Sequence, residues 1–331
     1  MNLTYRGGIV GTGSFLPERI LTNQDLEKMV DTSDDWITTR TGIKERRIAD
    51  KDTATSDLAT KAAQNALLKA GMEASEIDLI IVATITPDMN FPSTACIVQS
   101  NIKACNAVAF DLGAACTGFI YAIVTANQFI SSGLYKNILV IGAETLSKFV
   151  DWQDRNTCVL FGDGAGAVIM SRVKEGYGVL AQYLGADGTG GNALAIDGGG
   201  SRNPASIETI SRKMHYIRMD GNDVFKFAVR VMASAAEEAV KIAGLDKSDV
   251  DYLVPHQANI RIIEAARKRM GLSEDRVYVN LQKYGNMSAA SIPVALDEAV
   301  SFGAIKKDDN LILVGFGAGL TWGSCLLKWG L

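Results

Sequence analysis

The chain has 331 residues, of which 47% are hydrophobic and 21% charged, with a formal net charge of −4. That length suits about two domains with sizeable cores. The mild acidity excludes a general attraction to nucleic acid or to an anionic membrane, and no apolar run reaches the roughly 18 residues of a spanning helix.

The opening segment, Met1 to Gly7, carries no signal-peptide apolar core, so a cytoplasmic location is expected. Strand and helix patterns then alternate along the chain. A helix is predicted over Ser56–Ala70, a strand over Ile77–Ala83 and another over Ala107–Leu112. Next comes Thr117–Ser132, apolar on nearly every face and so expected between sheets. Strands follow at Asn137–Ile141 and Gly164–Met170, a join near 171–180, and a glycine-rich loop from Gly185 to Asn203. The second part carries helices at Asp223–Ala243, Ile260–Met270 and Ala289–Ser301, and strands at Val250–Val254, Val277–Asn280 and Leu311–Val314. Short β-branched runs alternating with helices predict an α/β fold with largely parallel or mixed sheets.

The sequence also repeats itself weakly. Leu67–Val82 matches Val240–Val254 at an offset of 173, and Asn137–Gly142 matches Asn310–Gly315 at the same offset. Between them the register slips by three, and an offset of 170 carries Cys116 onto Asn286. The repeat implies two duplicated halves, 1–173 and 174–331.

Three polar side chains stand at the edges of these elements. Cys116 precedes a helical run, where unpaired amides favour a thiolate nucleophile. His256 follows a strand end, the position where α/β sheets bind ligands. Asn286 precedes a third run, where an amide serves either as an ordinary cap or as a hydrogen-bond donor to an enolate oxygen. A buried inert thiol and a packing histidine are the bland alternatives. Together the three suit acyl transfer through a thioester followed by carbon–carbon bond formation. The five cysteines are odd in number and none has C-x-x-C spacing, so free thiols are expected. The two histidines, His215 and His256, lie far apart, and no metal site is expected. Glycines at 162–166 read as tight packing, and those at 315–319 as a possible approach to a substrate oxyanion.

The runs D-L-G-A-A-C-T-G-F at Cys116, P-H-Q-A-N at His256, Y-G-N-M-S-A-A at Asn286 and the ending G-F-G-A-G-L-T-W-G resemble the β-ketoacyl-acyl-carrier-protein synthase III family. The resemblance runs through the whole chain, from Gly11–Pro17 to the C-terminus. It implies a thiolase-like fold, with two duplicated halves in a five-layered αβαβα arrangement and a homodimer. It implies Cys116 as acyl acceptor, His256 and Asn286 as the decarboxylating pair, and the amides of Cys116 and Gly319 as the oxyanion hole. Trp36, Arg40, Arg155 and Asn259 would hold coenzyme A, and Phe91 would reach the partner subunit's acyl pocket. Gln257, Ala258, Asn259, Ile260, Arg261, Lys226, Lys268 and Arg269 would meet acyl carrier protein, an acidic partner. A short acyl-CoA and malonyl-acyl-carrier protein would be the substrates, with no metal or nicotinamide cofactor. A cysteine thioester hydrolase, a related condensing enzyme of secondary metabolism and a non-catalytic scaffold remain alternatives.

Overall fold

In the computed structural model, which describes residues 5–331, the apolar runs pair into two central sheets. The first holds β1 (Gly7–Phe15), β2 (Leu79–Ala83), β3 (Val108–Leu112), β4 (Asn137–Thr145) and β5 (Asp163–Arg172), in the order β1-β5-β4-β2-β3. The second holds β6 (Gly178–Ala186), β7 (Tyr252–Pro255), β8 (Asn310–Gly317) and β9 (Thr321–Lys328), in the order β7-β8-β9-β6. Parallel pairing joins β2 to β3 and β4, and β7 to β8; the remaining pairs are antiparallel.

Five helices complete the layers: α1 (Thr55–Ala70), α2 (Gly118–Ser131), α3 (Gly221–Ala243), α4 (Ile260–Met270) and α5 (Ser291–Ser301). α1 covers the outer face of the first sheet, α2 and α5 lie between the sheets, and α3 with α4 covers the second. This is the expected αβαβα stack. α2 is buried on most faces because both sheets pack on it. Burying an aliphatic side chain is worth about 1.5–3 kcal/mol, so this shared central layer anchors the fold.

Three strands of the two central sheets escape the sequence pattern. β1 is the glycine-rich Gly-Gly-Ile-Val-Gly-Thr-Gly-Ser-Phe. A side chain at Gly11 would sit 2.6 Å from Ala70 Cβ, so glycine here lets α1 lie directly on the strand. β6 begins in the predicted join and ends in the predicted loop, and β9 lies beyond the glycine run.

The predicted strand Val277–Asn280 is corrected to a single bridge between Leu253 and Val277. Gln257 is the physical reason. Its carboxamide oxygen accepts from Asn280 N and Leu281 N, and its NH2 donates to Pro255 O and Tyr278 O. The chain therefore turns into the short helix Leu281–Tyr284 instead of extending the ladder.

The register of the repeat is also corrected. The turns Ala115–Thr117 and Ser288–Ala290 are equivalent, with φ of 46° at both Ala115 and Ser288, and α2 and α5 start at 118 and 291. The offset therefore stays at 173 through both turns, and the slip of three falls at the helix ends, Ser131 and Ser301. Cys116 is equivalent to Ala289, not to Asn286.

Candidate active site

Cys116 sits in the 3-10 turn Ala115–Thr117 immediately before α2, not on the helix itself. The turn is pinned from the second half. Gly317 of β8 comes so close that a Cβ there would lie 2.7 Å from Cys116 N and 3.2 Å from Cys116 Cβ. Thr117 and Thr321 also share a short hydroxyl hydrogen bond.

His256 follows β7 directly, its amide donating to Val314 O at 2.8 Å. The imidazole is 1% exposed, packs edge-on to Phe316 with centroids 5.5 Å apart, and neither ring nitrogen finds a partner among the described residues. A buried polar group without a partner is costly, so its two nitrogens are free for whatever enters the cavity.

Asn286 is held by main-chain bonds on both sides, Asn286 N to Leu160 O at 2.8 Å and Gly162 N to Asn286 O at 3.0 Å. Its carboxamide oxygen accepts from Ser288 N at 2.8 Å. The oxygen is thereby occupied and the NH2 is the end left to donate.

These three residues line one cavity of about 90 Å³, together with Asn259, Phe316 and Gly317. A second, apolar cavity of about 240 Å³ also borders Cys116, lined by Ile85, Leu146, Phe161, Ile196 and Ile217. Cys116, Phe161 and Leu194 border both. The thiol thus borders both a largely apolar chamber that holds one imidazole and one carboxamide and a second chamber lined by aliphatic side chains. Ser288 and Ala318 also line the apolar cavity; neither carries a recognisable sequence signal. Gly319 lines neither cavity, whereas Gly317 and Ala318 do.

Burial decides the resting protonation states. It pushes the Cys116 thiol up to about 12, against the opposing pull of the Ser288 hydroxyl. The thiolate expected at a helix start is corrected accordingly: the resting group is a thiol. Burial pulls His256 down to about 3, so the imidazole is neutral and presents one donor and one acceptor. Cys158 and Cys325 are also buried but line neither cavity.

The expected coenzyme A residues gather around one indole next to a wall of the His256 cavity. Trp36 and Arg40 lie four apart on the helix Asp34–Thr41, with the Arg40 guanidinium 4.7 Å from the indole centroid. Arg155 approaches the same indole at 5.2 Å. Asn259 caps α4, its oxygen accepting from Arg261 N, and its NH2 donates to Arg40 O at 2.9 Å. That bond ties the aromatic–cationic cluster to the cavity wall.

The expected carrier-protein residues divide. Lys226, Arg261 and Lys268 are exposed, with Arg261 stacked on Phe225 at 5.0 Å. Arg269 is paired with Glu237 at 2.5 Å. Ala258, Asn259 and Ile260 are partly buried. Gln257 is withdrawn as a surface contact, because it is fully buried and its carboxamide is spent on the main chain. Phe91 is 85% exposed and lines neither Cys116 cavity. Among the described residues, no group of three or more His, Cys, Asp or Glu side chains could hold a metal ion, and no helix is long and apolar enough to cross a membrane.

A buried thiol that borders a chamber holding an imidazole and a carboxamide as well as an aliphatic one, set at the seam of two duplicated halves, fits a condensing enzyme of the thiolase-like fold. Comparison with known proteins narrows the class. Residues 110–188 match the family model 3-oxoacyl-[acyl-carrier-protein (ACP)] synthase III, and residues 240–329 match the model of its C-terminal part. The chain is 64% identical over 322 residues to the beta-ketoacyl-[acyl-carrier-protein] synthase III of Caldanaerobacter subterraneus subsp. tengcongensis, covering 97% of each chain. It is 59% identical over 327 residues to that of Clostridioides difficile, covering 99% of each. The solved 3-oxoacyl-[acyl-carrier-protein] synthase III of Aquifex aeolicus superposes with a TM-score of 0.91 at 50% identity, covering 98% of this chain and 100% of that one. The chain belongs to the β-ketoacyl-[acyl-carrier-protein] synthase III family.

Proposed function

We propose that this acyltransferase performs a decarboxylative Claisen condensation, joining a short acyl-CoA primer to malonyl-acyl-carrier protein and so starting fatty acid synthesis. Acetyl-CoA is the proposed primer. The products are 3-oxoacyl-acyl-carrier protein, coenzyme A and carbon dioxide. The observation that carries this reading is the single thiol that borders two cavities, one of them also lined by His256 and Asn286.

In the first half-reaction Cys116 attacks the acyl thioester. The Cys116 amide and the Gly319 amide, two residues beyond the close-packed Gly317, hold the oxyanion. The acyl chain enters the apolar cavity and coenzyme A leaves past Trp36, Arg40, Arg155 and Asn259. An indole flanked by two guanidinium groups suits an adenine base and its phosphates.

In the second, the malonyl thioester carbonyl lies against His256 and Asn286. A neutral imidazole N–H and the free carboxamide NH2 stabilise the enolate as carbon dioxide departs, each donor being worth about 3 kcal/mol. The carbanion then attacks acyl-Cys116. Side chains and main-chain amides suffice for every step, and neither a metal nor a nicotinamide is invoked.

Acyl carrier protein would dock against Ala258, Asn259, Ile260 and Arg261, with Lys226, Lys268 and Arg269 steering its acidic surface. The two duplicated units are 1–173 and 174–331, and the working form is a cytoplasmic homodimer. The open edge at β3, with Val108 half exposed, and the bare Phe91 side chain support pairing with a second copy. The test is a primer competition with several acyl-CoA thioesters and malonyl-acyl-carrier protein as extender. Acetyl-CoA should be consumed first, with 3-oxoacyl product and carbon dioxide in equal amounts. Release of free acid without carbon dioxide would instead mark a thioester hydrolase.

A further inference from the structure

The acylation step needs a destination for the thiol proton. His256 is a poor one, since burial holds it neutral down to about 3. A buried carboxylate that lines neither cavity has no role so far. Glu144, near the end of β4, is fully buried. Thr86 Oγ1 donates to it at 2.6 Å, and Thr84 Oγ1 and Ile85 N at 3.2 Å. All three donors come from the loop after β2, and no cation pairs with it among the described residues.

Ser288 belongs to the turn that meets both the Cys116 turn and the strand of Glu144. It lines the apolar cavity beside Cys116. Its hydroxyl favours the ionised form of both Cys116 and Glu144, against the burial that raises each. Yet the Oγ is buried and makes no hydrogen bond among the described residues. A buried hydroxyl left unbonded costs stability, and so does the left-handed φ of 46° that holds Ser288 there. The equivalent residue in the first half, Ala115, has the same φ and no hydroxyl. The backbone of the turn therefore does not require a serine.

We infer that Glu144, acting through the Ser288 hydroxyl, takes the proton of Cys116 as the thiol is acylated and returns it to the departing coenzyme A. As Cys116 Sγ bonds to the acyl carbon, the S–H proton moves to Ser288 Oγ and the Ser288 proton moves to a Glu144 oxygen. Collapse of the tetrahedral adduct breaks the bond to the coenzyme A sulfur. The reverse transfer hands that thiolate its proton and leaves Glu144 ionised. The titratable groups at this place are Cys116, Glu144 and His256; no lysine, arginine or aspartate lines either cavity. Burial raises the Glu144 carboxyl to about 7, which matches a group that both accepts and returns a proton near neutrality.

This inference rests on Cys116 being the acyl acceptor, and the experiment separates the two. Single-turnover acylation by radiolabelled acetyl-CoA is followed from pH 5.5 to pH 9 (roughly the range over which a group near 7 titrates). The proteins are the wild type, Ser288→Ala, Ser288→Thr, Glu144→Gln and Glu144→Asp; malonyl-acyl-carrier protein decarboxylation is measured alongside. The wild-type acylation rate should climb with pH through neutrality. Ser288→Ala and Glu144→Gln should slow acylation by about 100-fold and flatten that climb, while decarboxylation falls far less. Ser288→Thr and Glu144→Asp should restore the pH dependence. Ser288→Ala breaks no hydrogen bond of the resting protein, so it stands as the test should Glu144→Gln fail to fold. Acylation by Ser288→Ala at the wild-type rate and with the wild-type pH profile overturns the relay. Labelling that persists in Cys116→Ser would instead overturn the acceptor itself.

Discussion

The turn before α2 and the turn before α5 share one backbone and differ in every chemical respect. Ala115–Cys116–Thr117 faces Ser288–Ala289–Ala290, with the same left-handed residue at the head of each. The first turn carries the thiol; the second carries an alanine at that place and a hydroxyl one residue earlier. His256, in the second half, answers to Ala83 in the first. Duplication thus supplies a symmetric frame, and the proposed reaction uses it asymmetrically: nucleophile from one half, carbonyl-binding pair from the other.

The sharpest way to break this division is at the nucleophile. Cys116→Ser should lower overall condensation on the order of 10⁴-fold or more and abolish acyl labelling, read by single-turnover trapping with acetyl-CoA. Next in size is Asn286→Ala. It should cost about 10²–10³ in malonyl decarboxylation while Cys116 acylation changes little; equal losses in both half-reactions would refute the division of labour.

How far the sequence already carried this division depends on the kind of residue. α4 was legible end to end, because Asn259 caps its start and Gly271, with φ of 73°, closes it. Cys116, His256 and Asn286 were legible because each sits where an apolar run begins or ends. β1 was not, because its glycines serve the approach of α1 and break the apolar alternation. Nor was Glu144, since a wholly buried glutamate is written no differently from a surface one. The slip in the repeat misled for a physical reason: α5 is shorter than α2 at its far end, so matching the helix ends displaced the helix starts.

Gly317→Ala sharpens the comparison at the seam. The added methyl would press on the Cys116 amide, so acylation should fall by about ten-fold and stability by about 1–3 kcal/mol, read from single-turnover rates and denaturant midpoints.

A smaller effect concerns pH. The unfolded chain protonates His256 near its ordinary value of 6.5, the folded protein only near 3. The unfolded state therefore binds more protons between those limits, and stability contributed by the neutral imidazole is lost as pH falls from 6.5 towards 3. His256→Gln should show a shallower loss between those two values in urea titrations. The smallest effect belongs to the rim. Lys226→Glu with Lys268→Glu should weaken kcat/KM for malonyl-acyl-carrier protein by about three- to ten-fold at low salt, less at high salt, and leave acetyl-CoA labelling alone.

The most direct measurement is peptide mapping of the wild-type protein after incubation with acetyl-CoA alone. A single acetyl group on the peptide containing Cys116, discharged into 3-oxoacyl product when malonyl-acyl-carrier protein is added, is the result expected. An acetyl group carried by any other residue, or condensation proceeding with Cys116 never acylated, would contradict it.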